Sequence, residues 1–182
     1  MPPFLEVLTR TFQRPHLLAA NQASLQAQTS PDWHQTVLVD DVGIGMDAAQ
    51  ARLAEHAPQL IGEWIWILDD DDICIRPQLV EELHTLVVLY APDVIMLRMD
   101  HGPLGVLPDD KHWGKRPVRG QIGCSAFVVV RQVWQWHASW WRVGGYEADY
   151  AFINSVWEEK PRIVWHDVIA SRVQRISKGA PE

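Results

Sequence analysis

Ile61-Gly62-Glu63-Trp64-Ile65-Trp66-Ile67-Leu68-Asp69-Asp70-Asp71-Asp72 sets a dense apolar run directly against four consecutive aspartates. Ile61 to Leu68 reads as a buried strand, because an apolar run of that length bounded by polar residues fits a strand covered on both faces. The aspartates then stand at its carboxyl end. Four adjacent carboxylates repel one another, and a cation is the simplest way to make such a cluster favourable in a partly enclosed place. Hard oxygen ligands suit magnesium or manganese, which commonly take one or two carboxylates together with substrate phosphates. The ordinary alternative is a solvated acidic turn ahead of the helix that Pro77 opens, since aspartate is also a good capping residue.

Outward from this stretch the same unit recurs. Phe4 to Thr9 predicts a strand, followed by a helix from Pro15 to about Gln28; Thr36 to Val39 predicts a second, ending in Asp40 and Asp41, with a helix from Met46 to about Ala57. Beyond the aspartates come a helix from Pro77 to about Tyr90, with Glu81 and Glu82 where the helix dipole favours them, and a strand from Val94 to Met99. Asp100 to about Gln121 reads as a long loop rich in Gly, Pro, His and charge, of a length usually reserved for function. A strand at Ala126 to Val130, a Trp-rich helix to about His137, a break at Gly144-Gly145, a helix from about Glu147 to Glu158 and a strand from Arg162 to about Ile169 complete the order. Alternating strands and helices predict a single α/β domain over residues 1–176, a three-layer α/β/α sandwich around a mostly parallel mixed sheet, with 177–182 frayed. Ligands of such sheets sit at the carboxyl ends of the strands.

Composition narrows the classes. The chain has 182 residues, enough for one core without staples, and 47% of them are apolar. A net charge of -7 excludes general nucleic-acid binding, which needs a basic footprint. No apolar stretch reaches the length of a membrane span and no leader precedes the first strand, so the expected location is the cytoplasm. Cys74 and Cys124 read as buried free thiols. Ten tryptophans are the other anomaly, and they supply either a Trp-rich core or platforms for a flat ligand such as a sugar or base.

Taken together, several segments resemble glycosyltransferase family 2 and its GT-A fold. They are Val7-Leu8-Thr9-Arg10-Thr11-Phe12-Gln13-Arg14-Pro15, Ser24-Leu25 with Gln28-Thr29, Val39-Asp40-Asp41, and Ile67-Leu68-Asp69-Asp70-Asp71-Asp72. The likeness is good over about the first 75 residues. It is looser afterwards, through Gly144-Gly145-Tyr146-Glu147-Ala148-Asp149 and Trp165-His166. The resemblance implies transfer of a sugar from a nucleotide diphosphate donor, UDP by commonest usage, to a carbohydrate-type or other hydroxyl acceptor, with Mn2+ or Mg2+ as cofactor.

By the same resemblance, Thr9, Arg10, Phe12, Asp40 and Asp41 would meet the nucleotide, Asp70 would face its ribose, and Asp71 would meet the metal in the DXD position. Asp69 and Asp72 are further metal candidates, since four aspartates leave the register open, and His166 would complete the set. Asp149 stands where an inverting member keeps its general base; Glu147 is the rival, because the usual adjacent Glu-Asp pair is here Glu147-Ala148-Asp149. Trp140 and Trp141 are candidate acceptor platforms, while Lys115, Arg116, Arg119 and Arg172 are candidate cations for the leaving diphosphate. Gly43-Ile44-Gly45-Met46-Asp47-Ala48 imitates a dinucleotide fingerprint, but Asp40 and Asp41 intervene and would repel a pyrophosphate. A nucleotidyltransferase needs a glycine-rich loop after the first strand, and Thr9 to Arg14 has no glycine. A non-catalytic sugar- or nucleotide-binding module is the remaining alternative.

Overall fold

A computed structural model of the chain describes residues 1–143 and 145–174. Gly144 of the expected glycine break and the expected fray at 177–182 lie outside them. The first half follows the predicted order: β1 (Leu5–Phe12), α1 (Pro15–Gln26), β2 (Trp33–Asp40), α2 (Met46–His56) and β3 (Trp64–Ile67). Then come β4 (Asp72–Cys74), α3 (Leu79–Tyr90), β5 (Val94–Asp100), β6 (Val106–Leu107), β7 (Phe127–Val130), α4 (Arg131–His137), α5 (Ala148–Glu158) and β8 (Ile163–Val173). No helix among the described residues is long and apolar enough to cross a membrane.

The strands form one mixed sheet in the order β2-β1-β3-β7-β5-β8-β4, with β6 on β5. β1 runs parallel to β2 and β3, and β5 parallel to β8, whereas β7 is antiparallel to both β3 and β5. Two short strands were not expected. β4 begins on Asp72 itself, and β6 interrupts what reads as an uninterrupted loop. The step from β3 to β4 also shapes the sheet. Five Cα steps reach at most about 18 Å, while four strand spacings in a flat sheet take about 19 Å. A hydrogen bond from Asp72 N–H to Asp69 C=O, 2.9 Å, shortens the connection further. The sheet therefore curls to bring its far edge beneath the aspartate turn.

Both faces are covered. One core joins Leu8, Ile65, Ile67, Met96 and Phe127 to α2, α4 and α5 through Leu53, Trp134 and Phe152. The other joins Val7, Trp66, Ile95 and Val128 to α1 and α3 through Leu25 and Leu83. At the amino-terminal edge of the parallel strands, buried Glu6 accepts hydrogen bonds from Ile61 N–H (2.7 Å), Gly62 N–H (2.8 Å) and Thr36 Oγ1–H (2.8 Å). A Cβ at Gly62 would lie 2.4 Å from that of Glu6, so only glycine fits there.

Candidate active site

The carboxyl ends of β1, β2 and β3 open into a cavity of about 780 Å3. Five carboxylates line it, Asp40, Asp69, Asp71, Asp72 and Asp149, with three guanidiniums, Arg10, Arg14 and Arg52. The aspartate turn is rigidly held from below. Asn21, fully buried on α1, donates to the carbonyls of Asp69 (2.9 Å), Asp72 (2.8 Å) and Leu68 (3.2 Å). Thr9 Oγ1–H donates to Leu68 C=O at 2.9 Å, and Gln174 closes the far side through its N–H to Asp71 C=O (2.6 Å) and its amide to Asp70 C=O (3.0 Å).

Arginines from the end of β1 meet the carboxylates. Arg10 forms a two-pronged pair with Asp69, Nε to Oδ1 at 2.8 Å and Nη2 to Oδ2. Arg14 grips Asp70 in the same way, and its Nη1 reaches Asp71 Oδ2 at 3.0 Å. Asp72 accepts from Ser125 Oγ–H at 3.1 Å. The compensation is incomplete. Burial, reinforced by the Asp69 charge, raises Asp71 against the pull of Arg14, and burial with the Asp71 and Asp69 charges holds Asp72 well above the carboxylate range. Asp70 is pushed up to about 6, again chiefly by burial.

Asp149, in the first turn of α5, faces this group. Burial pushes its carboxyl up to about 7, although Tyr150 N–H and Arg10 favour the charged form. A carboxyl poised near neutrality is what proton abstraction requires. Asp40 is the opposite case. Burial alone would raise it, but the N–H groups of Ile44 (2.8 Å), Val42 (3.0 Å) and Gly43 (2.8 Å) outweigh burial and hold it below the ordinary value. Asp40 thereby shapes the turn at Gly43, whose φ of +77° favours glycine.

Of the expected site residues, Arg10, Phe12, Asp40, Asp69, Asp71, Asp72 and Asp149 line one cavity. The others lie elsewhere. Thr9 and Asp70 are fully buried beneath it, and Asp41 is exposed, with Asp40 turned inward instead. Glu147 pairs with Arg119 at 2.9 Å off the cavity, so Asp149 is the acid presented inward. His166 sits within β8, which continues to Val173 rather than ending near Ile169, and its Nε2 lies 2.9 Å from Glu82 on α3 and not in the cavity. Trp141 is fully buried, its ring centroid 5.3 Å from that of Trp134 and 4.9 Å from that of Phe152, while Trp140 is 43% exposed away from the cavity.

The expected cations are spent elsewhere: Lys115 on the carbonyl of Lys111, Arg116 on Asn154 and Glu158, Arg119 on Glu147, Arg172 on Asp100. Arg14 and Arg52, which do line the cavity, carried no assignment from the sequence; Arg14 was visible as the basic residue just past the first strand. Gln50 on α2 was missed as well. It is 4% exposed, lines the cavity, and its Oε1 has no partner, a state shared by Arg10 Nη1 and His101 Nδ1 on the same wall system. Buried polar atoms are nearly always paired, so such atoms around one cavity mark where a ligand's own polar groups fit.

A divalent cation is chemically compatible with this donor set. Among the described residues no three His, Cys, Asp or Glu side chains form a ready coordination group. Asp71 and Asp69 nevertheless offer hard carboxylate oxygens in a cavity with excess negative charge, and magnesium-type sites need only one or two carboxylates when substrate phosphates supply the rest.

No family model matches the sequence, and no curated protein matches it. Solved structures do. S. aureus TarS 1-349 in complex with UDP is 10% identical with a TM-score of 0.71, over 93% of this chain and 60% of that chain. The same protein in complex with UDP-GlcNAc gives 12% and 0.70, over 95% and 59%. Mannosyltransferase PcManGT from Pyrobaculum calidifontis, in complex with GDP-Man and Mn2+, gives 12% and 0.64, over 98% and 59%. This chain thus spans about 60% of the length of these solved chains, and 36% of that of a further S. aureus TarS chain. At such identities the likeness is one of architecture, and the architecture of this chain is the GT-A glycosyltransferase fold.

Proposed function

We propose that the protein transfers a sugar from a nucleoside diphosphate sugar to an acceptor hydroxyl, with Asp149 as general base. The observation that carries this reading is the carboxyl of Asp149, raised to about 7 and turned into the same cavity as the Arg10–Asp69 and Arg14–Asp71 pairs. The TarS and PcManGT structures, bound to UDP, UDP-GlcNAc and GDP-Man, support nucleotide-sugar chemistry for this fold.

In this reading Phe12, Leu38 and Asp40 border the nucleotide and the aspartate turn borders its diphosphate. The acceptor oxygen attacks the anomeric carbon while its proton passes to an Asp149 carboxylate oxygen. The anomeric C–O bond to the diphosphate breaks, and its electron pair leaves with the phosphate. Attack from the face opposite the leaving group inverts the anomeric centre. Arg10 Nη1, buried without a partner, is free to donate to a phosphate oxygen. A divalent cation held by Asp71, with Asp69 and the donor phosphates, would add charge neutralisation at the departing diphosphate.

The test is release of nucleoside diphosphate from UDP-GlcNAc, UDP-glucose and GDP-mannose, with Mn2+ or with chelator. Turnover of at least one donor that is lost in Asp149→Asn while the nucleotide still binds would support the reading. Failure of all three donors to bind, or full activity in Asp149→Asn, would overturn it. A metal-independent version of the same transfer is favoured by the arginines already engaging Asp69 and Asp71, and the chelator arm separates the two. In the metal-dependent case, Asp71→Ala lowers turnover by at least 100-fold, within the ~10²–10³ range typical of losing an electrostatic stabiliser.

A further inference from the structure

The cavity divides by chemistry. Its charged wall, built from β1, the aspartate turn and α5, carries the groups assigned above. A second wall, which meets the aspartate turn where Val173 pairs with Asp72, is apolar, formed by Met99 from β5, Leu104, Leu107 from β6, Ile122 and Val173 from β8. Met99 and Leu107 pack with Ala126, and Val173 against them, as a small cluster separate from the two main cores. A Cβ at Gly123 would come within 2.3 Å of Met99 Sδ, so glycine lets the chain close directly onto this wall. Leu104 stands at its rim, 67% exposed.

This wall is a poor match for the donor. A nucleoside diphosphate sugar is polar over most of its surface, and setting polar groups against apolar side chains costs hydration without return. The cavity, at about 780 Å3, lies in the upper part of the range for small-molecule sites. The two walls also meet at Cys124. Ile122-Gly123-Cys124 runs out of the apolar wall, Cys124 Sγ lies 3.5 Å from Arg10 Nη2, and the charges of Asp69, Asp149 and Asp72 all act on it. Ile122, Cys124 and Asp149 all line the one cavity, so the apolar wall shares it with the group assigned as base.

Resting on the transferase reading, we propose that the acceptor is an amphiphile, a hydroxyl compound whose alkyl or aryl portion seats against Met99, Leu104, Leu107, Ile122 and Val173 with its hydroxyl toward Asp149. The side chains that grip it are apolar, so affinity grows with the length of the apolar portion and not with its charge.

The probes are methyl, butyl, hexyl and octyl β-glucosides, each below its micelle concentration. They are titrated calorimetrically into the protein alone and into the protein saturated with UDP or GDP and Mn2+. The dissociation constant is expected to fall about fourfold for each buried methylene until the wall is filled. Leu104→Asp, at an exposed position where folding is unaffected, raises the octyl value at least tenfold and leaves nucleotide binding within twofold. A flat series, an octyl affinity indifferent to Leu104→Asp, or displacement of the nucleotide by octyl glucoside would overturn the proposal. Chain-length-dependent binding with no nucleotide binding at all would instead overturn the transferase reading, and the role as acceptor with it, while leaving an apolar ligand site.

Discussion

The aspartate turn at 69–72 and the tryptophan segment at 134–141 are the two compositional extremes of the chain, and they treat polar atoms in opposite ways. In the turn, every carboxylate has a direct partner: Arg10 for Asp69, Arg14 for Asp70 and Asp71, Ser125 for Asp72. In the tryptophan segment, the ring N–H groups of Trp134 and Trp141 are buried with no partner. An unpaired N–H costs about 1–3 kcal/mol, which the burial of two indoles stacked on each other and packed against Phe152 offsets. No such offset exists for a carboxylate. Carboxylates are therefore collected where guanidiniums, solvent or a ligand reach them, and tryptophans where apolar rings do.

The sharpest way to break this contrast is at Asp149. Its replacement by Asn is expected to lower kcat by about 10²–10⁴, the usual contribution of a general base, with nucleotide affinity unchanged by calorimetry. Trp141→Ala should do the reverse. It is expected to cost about 3–5 kcal/mol of stability, a drop in Tm of roughly 10 °C for a chain of this size, while the folded fraction binds nucleotide normally. Lost binding with intact Tm would make Trp141 a ligand platform.

The pH dependence sharpens the comparison further. Asp149 and Asp70 have folded pKa values of about 7 and about 6, raised above the unfolded value. Protonation is thus easier in the folded chain, and these groups contribute stability that is present at acid pH and lost as pH rises from about 4 through 7. Tm measured across that range should decline toward neutrality, and Asp149→Asn should flatten the upper part of the decline. Turnover should move the other way, climbing until pH about 7 as the base ionises. The smallest effect is expected at His166→Gln. Its partly exposed contact with Glu82 is worth under about 1 kcal/mol, and a metal titration of turnover should be unchanged, because His166 lies on the α3 side of the sheet.

Much of the first half was legible because each parallel strand is an apolar run that stops abruptly at polar residues: Thr9 to Arg14, Asp40-Asp41 and Asp69-Asp72. Burial on both faces demands such runs, and the parallel arrangement brings their ends together. Asp149 was singled out through the resemblance, by its place at the start of a helix, with Glu147 as rival; in the structure Asp149 lines the cavity and Glu147 pairs with Arg119. His166 faces Glu82 on α3, a contact 84 positions away that no local pattern shows, and its strand runs on past the expected end near Ile169. Its last residues, Ser171 to Val173, pair with β4, a partner that exists only because the sheet curls. Asn21 and Gln50 gave no local signal, since a buried amide inside a helix reads like any exposed polar residue.

Periodicity and the positions of the acids by themselves determined that this chain is a three-layer α/β domain with a carboxylate-rich edge. Those properties are local, set by which side chains water rejects and by where runs of them end. The tertiary structure alone decided that Arg10 and Arg14 pair with the acids of that edge, that β7 turns antiparallel, and that an apolar wall shares the cavity with Asp149. Each of these depends on contacts between residues far apart along the chain, most of them 50 or more positions, as in the pairing of Arg14 with Asp70. No local pattern encodes them, because the energy of such a contact exists only once the curled sheet has brought its partners together.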